Sequence, residues 1–228
     1  MSPRQLCQLI LLGALWGASF LFMRVATPEF GAVALIQIRV ALASLVLLPI
    51  WWIREGNQQY PTVQKKWRAL AVVGLLNSGV PFVLFAFSTL YITGGFSAIL
   101  NSTAPIWGAI VGYLWLQRAI SRQAVIGLAL GIAGVLVLVS GSISNPGGDP
   151  YSVILAIGAG LFASILYGIA ANYTGVYLQK VSSLSIATFS LVAASLPAFF
   201  AISFSRSRHF TKSLGRSHCD GNNEYCAT

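Results

Sequence analysis

The sequence predicts an all-α polytopic membrane protein with about seven transmembrane helices. Of its 228 residues, 56% are apolar and only 8% are charged, whereas soluble globular domains carry about 25% charged residues. Residues 69–117 contain no Asp, Glu, Lys or Arg, and this stretch is about twice the roughly 20 residues that one bilayer-spanning helix needs. The stretch must therefore fold back on itself within the membrane.

The first predicted helix spans residues 6–25. Its uncharged run is longer than the h-region of about 7–15 residues in a cleaved signal peptide, so we interpret it as a retained span. Gly13 and Gly17 lie one helical turn apart with Trp16 beside them, and this pattern predicts close packing against another helix. Arg24 is expected at the end of the helix, where the helix dipole favours a cation.

The second predicted helix, residues 31–53, contains Arg39 well inside the span. An unpaired cation at that depth costs about 3 kcal/mol or more, so we expect Arg39 to point toward protein. It either pairs with backbone carbonyls or lines a water-filled cavity, and the sequence leaves both open. Residues 54–68 are rich in Lys, Arg, Gln and Asn and are predicted to form a solvated loop.

Helices 3 and 4 lie in the charge-free stretch and are separated by a Gly-containing turn at residues 91–95. Helix 3, residues 69–90, places Asn77 near Pro81, which removes a backbone hydrogen bond and predicts a kink. Pro105 is the second predicted kink. Small or polar residues and this proline recur along one face of helix 4: Ser97, Asn101, Pro105, Gly108 and Gly112. Because lipid offers asparagine no partner, we expect this face to pack against protein.

Three further helices are predicted after helix 4. Helix 5 covers residues 123–140, and its glycines predict a tight packing face. The Gly, Pro, Asn and Asp residues of 141–150 form a loop. Helix 6, residues 151–171, has small residues at four-residue steps and carries Tyr167. Helix 7 covers residues 184–204.

The distribution of basic residues predicts the orientation of the chain. They fall on one side of the membrane: Arg4, the 54–68 segment, Arg118, Arg122 and Lys180. The connections on the other side carry only Glu29 and Asp149 as charges. The positive-inside rule therefore predicts a cytoplasmic N-terminus. The basic tail, residues 205–228, runs against this rule, and we interpret it as a frameshifted or truncated end, with a natural solvated tail as the alternative.

Several function classes lack the residues they need. His209, His218, Cys219 and Cys226 match none of the zinc spacings, so we expect no metal site. We expect no enzyme and no cofactor, because no Ser/His/Asp set, no paired carboxylates and no phosphate loop are found. Helix 7 has no lysine for a retinal Schiff base. The net charge of +9 does not indicate nucleic-acid binding, because the basic residues lie between apolar runs.

A weak internal repeat relates the two ends of the chain. At an offset of 146 residues, the helix 1 segment around Trp16 pairs with the helix 6 segment around Phe162. Five helices per repeat is an odd number, so a second copy would cross the membrane in the opposite direction. We predict a complete first repeat in residues 6–140 and two helices of an inverted second repeat in residues 151–204.

Three segments resemble a known family: LGALWGASFLFMR, IQIRVALASLVLLP and SAILNSTAPIWGAIVGYLWL. They are similar to the EamA-type permeases of the drug/metabolite transporter superfamily. The resemblance implies ten helices in two inverted repeats, a central cavity that passes small metabolites, and a location in the cytoplasmic (inner) membrane of a bacterium. It places Arg39 where the family commonly has an arginine, but the acid that often closes helix 4 is replaced by Leu116-Gln117-Arg118.

The sequence thus predicts a secondary transporter or exporter of small polar metabolites, whose partners are its substrate, the lipid bilayer and a second copy if it forms homo-oligomers. The candidate cavity residues are polar or amphipathic groups within apolar spans: Trp16, Arg39, Asn77, Asn101 and Tyr167. Each could instead serve interhelical packing or hydrogen bonding. An interhelical hydrogen bond contributes about 0.6 kcal/mol on average. The alternative function is a truncated, non-transporting remnant, or a fragment that needs a partner chain.

Overall fold

The computed structural model describes residues 2–144 and 149–196, and all regular secondary structure in these ranges is helical. The helices are α1 (Pro3–Phe30), α2 (Ala32–Gly74), α3 (Val80–Tyr91), α4 (Gly94–Asn101), α5 (Ala104–Leu116), α6 (Arg122–Ser144), α7 (Pro150–Tyr177) and α8 (Ser183–Leu196). Within the described ranges, 5 helical stretches are long and apolar enough to cross a membrane. The prediction of an all-α polytopic membrane protein is therefore confirmed. Residues 197–204 of predicted helix 7 and the 205–228 tail lie outside the described residues.

The helical residues of α2 reverse direction, although no loop interrupts them. Near one end, the Gln37 side chain donates to the Ser195 carbonyl of α8 at 2.7 Å, and at the other end Gly74 lies against the backbone of Ser190. A straight helix would separate Gln37 from Gly74 by about 55 Å, whereas α8 is only about 20 Å long. The chain must therefore bend back within α2.

The reversal lies between Trp51 and Val63, because both belong to one buried cluster with residues at the start of α8. Pro61 lies in this interval, and proline is a common cause of sharp helix bends. The predicted solvated loop at residues 54–68 was wrong, since this segment is helical. The Gln, Lys, Glu and Arg that suggested a loop are also good helix formers.

Both prolines predicted as kinks lie in the first turn of a helix, directly after an interruption. A π-helical turn, Leu75–Gly79, precedes Pro81 in α3. Predicted helix 4 is divided into α4 and α5, and Pro105 follows the break at residues 102–103. At Pro105 the missing N–H needs no partner, because it lies in the first turn of α5. At Pro81 the helical residues are continuous from Ala32 to Tyr91, and the π-helical turn is the local adjustment to the missing N–H.

The most buried span of the described bundle is α7, which packs against α3, α4 and α5. Its small residues form the contact, as the four-residue spacing of predicted helix 6 indicates. The Ser164 hydroxyl donates to the Leu100 carbonyl at 2.9 Å, and the Asn172 amide donates to the carbonyls of Gly108 at 2.8 Å and Gly168 at 2.9 Å. The polar face of predicted helix 4 thus faces protein at Gly108 and at the fully buried Ser97.

Two glycine faces do not pack as predicted. Within the described ranges, no neighbouring atom lies within 4 Å of a Cβ built on Gly13 or Gly17 of α1, or on Gly127 or Gly134 of α6. Of the three α6 glycines predicted to form this face, Gly131 approaches another helix, with the Ile106 side chain 3.0 Å from its built Cβ. The physical reason is that α6 and the first half of α1 lie at the edge of the bundle.

Arg24 stabilises a different helix from the one predicted. Helix α1 continues to Phe30, so Arg24 is not at its C-terminus. Its guanidinium instead donates to the carbonyls of Thr89 and, at 3.2 Å, Ile92. These carbonyls end α3, and the cation satisfies groups that the helix leaves without an internal partner.

The N-terminus of α7 is capped by Asp149. Its carboxylate accepts hydrogen bonds from the backbone N–H of Ser152 at 3.0 Å and from the Ser152 hydroxyl at 2.9 Å. These bonds favour the charged form and hold the pKa of Asp149 below its usual range. The cap fixes the point at which the chain re-enters the bundle.

Candidate functional site

A groove of about 490 Å³ lies between α1 and α2. Its lining is almost wholly apolar, with one hydroxyl and one charged group: Leu15, Ala18, Ser19, Phe22, Met23, Ala26, Leu35, Ile38, Arg39 and Leu42. Arg39 lies on the α2 wall, and Ser19 lies on the α1 wall. The volume falls in the range of about 300–1,000 Å³ typical of small-molecule sites.

The Arg39 guanidinium rests on an aromatic surface. Its Cζ lies 4.8 Å from the centroid of the Phe82 ring, a cation–π contact in which the ring face attracts the charge. Phe85, one turn further along α3, stacks with Tyr167 of α7 at a centroid distance of 5.9 Å. Tyr167 lies within electrostatic range of Arg39. Of the five predicted cavity residues, Arg39 lines the groove. Tyr167 does not line it, but it packs behind Phe85 on the same aromatic cluster.

Within the described part of the chain, Arg39 has neither a hydrogen bond nor an ion pair. Its cation–π partner Phe82 leaves the guanidinium N–H donors unsatisfied. The backbone-carbonyl pairing that the sequence left open is not found among these residues. The arginine is consequently able to bind an anionic group.

The other three candidates lie elsewhere. Trp16 is 48% exposed on α1 and does not line the groove. Asn77 is exposed in the π-helical turn, and Asn101 is half-buried at the end of α4. None of the three lines the groove that contains Arg39.

Sequence reasoning missed the aromatic support under Arg39. Phe82 and Phe85 are three residues apart and so lie on one face of α3. In the sequence of an apolar membrane span, however, nothing distinguishes a phenylalanine that faces lipid from one that faces a cation. The sequence gives the spacing of Phe82 and Phe85, but it does not show that Arg39 of α2 packs against Phe82.

A second missed feature is a hydrogen-bond network around Glu55. The hydroxyls of Ser182 and Ser185 donate to its carboxylate, the latter at 3.2 Å. The Trp51 indole donates to the Ser185 hydroxyl at 2.7 Å, and the Ser185 backbone N–H donates to the Ser182 hydroxyl at 3.0 Å. The network holds the bend of α2 against the N-terminus of α8, where a negative charge is favoured.

We expect Glu55→Ala to lower the free energy of unfolding by about 2 kcal/mol, because it leaves two hydroxyls and part of the helix end without their charged acceptor. Thermal unfolding of the detergent-solubilised protein measures this loss. Glu29→Ala is the matched control, since Glu29 is exposed. Equal effects of the two substitutions would show that the network does not stabilise the bundle.

Comparison with known proteins decides the family. Residues 4–140 match the model of the EamA-like transporter family. The chain belongs to this family. It is an integral multi-pass membrane protein of a transporter family, in agreement with its apolar helices. The prediction of an EamA-type permease is thus confirmed.

Three curated relatives illustrate the similarity. An uncharacterized transporter of Archaeoglobus fulgidus is 24% identical over 81% of this chain and 62% of its own length. The uncharacterized transporter YetK of Bacillus subtilis is 28% identical over 67% of this chain and 46% of its own length. Protein PecM of Dickeya dadantii is 25% identical over 70% and 52%. The chain thus spans about half the length of these relatives. No solved structure gives a significant match.

Proposed function

We propose that this EamA-family chain forms the substrate path of a secondary transporter for small polar metabolites that carry an anionic group. The observation that carries the proposal is the unpaired Arg39 on the wall of an otherwise apolar groove. Charged residues inside membrane spans are costly and face protein or a cavity. An arginine on the wall of such a groove supports an anionic ligand.

The chemistry of the groove supports an organic anion. A guanidinium binds a carboxylate or phosphate through two parallel hydrogen bonds, which gives direction as well as affinity. The apolar walls, such as Leu35 and Phe22, suit the hydrocarbon part of a metabolite. The Ser19 hydroxyl supplies a second polar group on the opposite wall.

Alternating access between two inverted repeats is the mechanism that we propose for translocation. In this mechanism the groove opens to one side of the membrane at a time, and Arg39 exchanges its bound anion for water on each side. We place the N-terminus in the cytoplasm and the protein in the cytoplasmic membrane, in accordance with the basic residues on that side.

A second candidate function is a transport subunit that needs further helices in trans. It is favoured by the exposure of α1, whose span is only 11% buried, and of α6, whose span is 0% buried within the described structure. Additional helices would cover the open side of the groove. In this case the chain alone binds substrate without moving it.

Proteoliposome uptake tests both candidates. The purified chain is reconstituted and offered a radiolabelled panel of carboxylates, amino acids, organic phosphates and neutral sugars. Accumulation of anionic members only is the expected result, and uptake of neutral members only would contradict it. A fusion to the part of the Bacillus subtilis relative that this chain does not cover separates the candidates, because transport that requires the fusion supports the second.

A further inference from the structure

A second groove, distant in sequence from Arg39, lies between the end of α2 and α8. It has a volume of about 330 Å³. All of its lining residues are apolar: Val63, Trp67, Leu70, Ala71, Leu75, Phe189, Val192, Ala193 and Leu196. The α2 members repeat at helical spacing, so they form one continuous face. From Val63 to Leu75 the groove follows the helix for about 18 Å.

Basic residues adjoin Trp67, which lines the groove. Lys66 and Arg68 lie on either side of the helix face that carries Val63 and Trp67, by the 3.6-residue period. Arg68 is exposed, and its guanidinium lies 5.5 Å from the centroid of the Trp67 ring. The Trp67 side chain therefore contacts the apolar groove and a cation at once.

A third cation lies in the link between α7 and α8. Lys180 is exposed and precedes Val181, which packs in the same buried cluster as Val63. The nearest acid along α2, Glu55, is bound by Ser182 and Ser185. The serine hydroxyls do not neutralise this carboxylate, but the three cations Lys66, Arg68 and Lys180 outnumber it.

We propose that this groove binds an anionic phospholipid, with one acyl chain along α2 and α8 and the headgroup phosphate among Lys66, Arg68 and Lys180. Basic clusters at the end of a transmembrane helix attract anionic headgroups. Tryptophan is favoured at the same depth, where its ring lies between hydrocarbon and headgroup. An aqueous anion would use the cations but leave the apolar groove empty, so a lipid fits both parts.

Quenching of tryptophan fluorescence by brominated lipids tests the proposal without any transport assay. The protein is placed in nanodiscs that contain brominated phosphatidylglycerol or brominated phosphatidylcholine. The chain has 6 tryptophans, so the quenching lost in Trp67→Phe reports on the groove. We expect this Trp67 signal to prefer phosphatidylglycerol, and Lys66→Gln/Arg68→Gln to reduce the preference by about tenfold or more.

Matched variants distinguish the headgroup from the groove. Arg118→Gln/Arg122→Gln removes the same charge elsewhere on the chain and is expected to keep the preference. Ala71→Phe fills the groove and is expected to weaken Trp67 quenching by both lipids. Excess inorganic phosphate is expected to have no effect. Three results would overturn the proposal. The first is equal quenching of Trp67 by the two lipids, and the second is an equal loss of the phosphatidylglycerol preference in the 66/68 and 118/122 double variants. The third is a decrease of Trp67 quenching when inorganic phosphate is added.

Discussion

Gly168→Leu is expected to prevent α7 from packing against α5 and to leave little folded protein. A Cβ at Gly168 would lie 2.6 Å from the backbone nitrogen of Gly108 and 2.7 Å from the carbonyl carbon of Trp107. Backbone atoms cannot rotate away as a side chain can, so the helices would have to separate. Separation also breaks the Asn172 bonds to Gly108 and Gly168. We expect a loss of about 3 kcal/mol or more.

Three further glycines of α7 provide a graded control. No neighbouring atom lies within 4 Å of a Cβ built on Gly158 or Gly175, so alanine there is expected to be neutral or slightly stabilising. At Gly160 the nearest atom is the Leu100 Cδ1 at 2.8 Å, the end of a flexible side chain. Alanine at Gly160 is therefore expected to cost less than alanine at Gly168. Thermal unfolding in detergent measures the four alanine variants at positions 158, 160, 168 and 175. Equal melting temperatures for all four would contradict the close contact at Gly168.

Arg39→Gln is expected to reduce transport of the anionic substrate by about a hundredfold or more. Glutamine can donate hydrogen bonds, but its side chain is shorter and carries no charge, so it cannot form the charge-assisted bidentate pair with a carboxylate. Arg39→Lys keeps the charge and loses the bidentate geometry, so it is expected to retain a small fraction of the activity. Initial rates of uptake into proteoliposomes measure both.

Arg24 is the matched control for the charge change. Its guanidinium binds the carbonyls that end α3 and does not line the groove. Arg24→Gln is therefore expected to lower the melting temperature while keeping the preference for anions. Arg39→Gln is expected to change the preference and leave the melting temperature nearly unchanged. If Arg24→Gln changed the preference for anions and Arg39→Gln only lowered the melting temperature, Arg39 would not belong to the substrate site.

The transmembrane character and the main packing face were predictable from the sequence because they depend on local patterns. A span without charges must enter the bilayer, and small residues at four-residue steps on α7 allow α5 to approach. At Gly168 and Gly108 this expectation agrees with the contact in the structure. The weaker glycine patterns of α1 and α6 were overinterpreted, because a small residue permits close packing but does not supply a neighbour.

The reversal within α2 and the network at Glu55 were not predictable in the same way. Polar composition at residues 54–68 indicated solvent, whereas helix propensity and burial of Val63 against α8 decided the conformation. Glu55 finds its partners more than a hundred residues later, at Ser182 and Ser185. Likewise, the sequence identified Arg39 as unusual, but only tertiary packing placed it on Phe82 and near Tyr167.

Thiol labelling in the groove tests most directly whether Arg39 binds the transported anion. Ser19→Cys is introduced into a background without Cys7, Cys219 and Cys226, and its modification rate is measured with and without the substrate identified by uptake. Ser19 lines the groove with Arg39, whereas Trp16 on the same helix does not. The anion is expected to slow labelling at Ser19→Cys, to leave Trp16→Cys unchanged, and to have no effect once Arg39→Gln is added. Protection at Trp16→Cys alone, or protection that persists without Arg39, would contradict this assignment of the site.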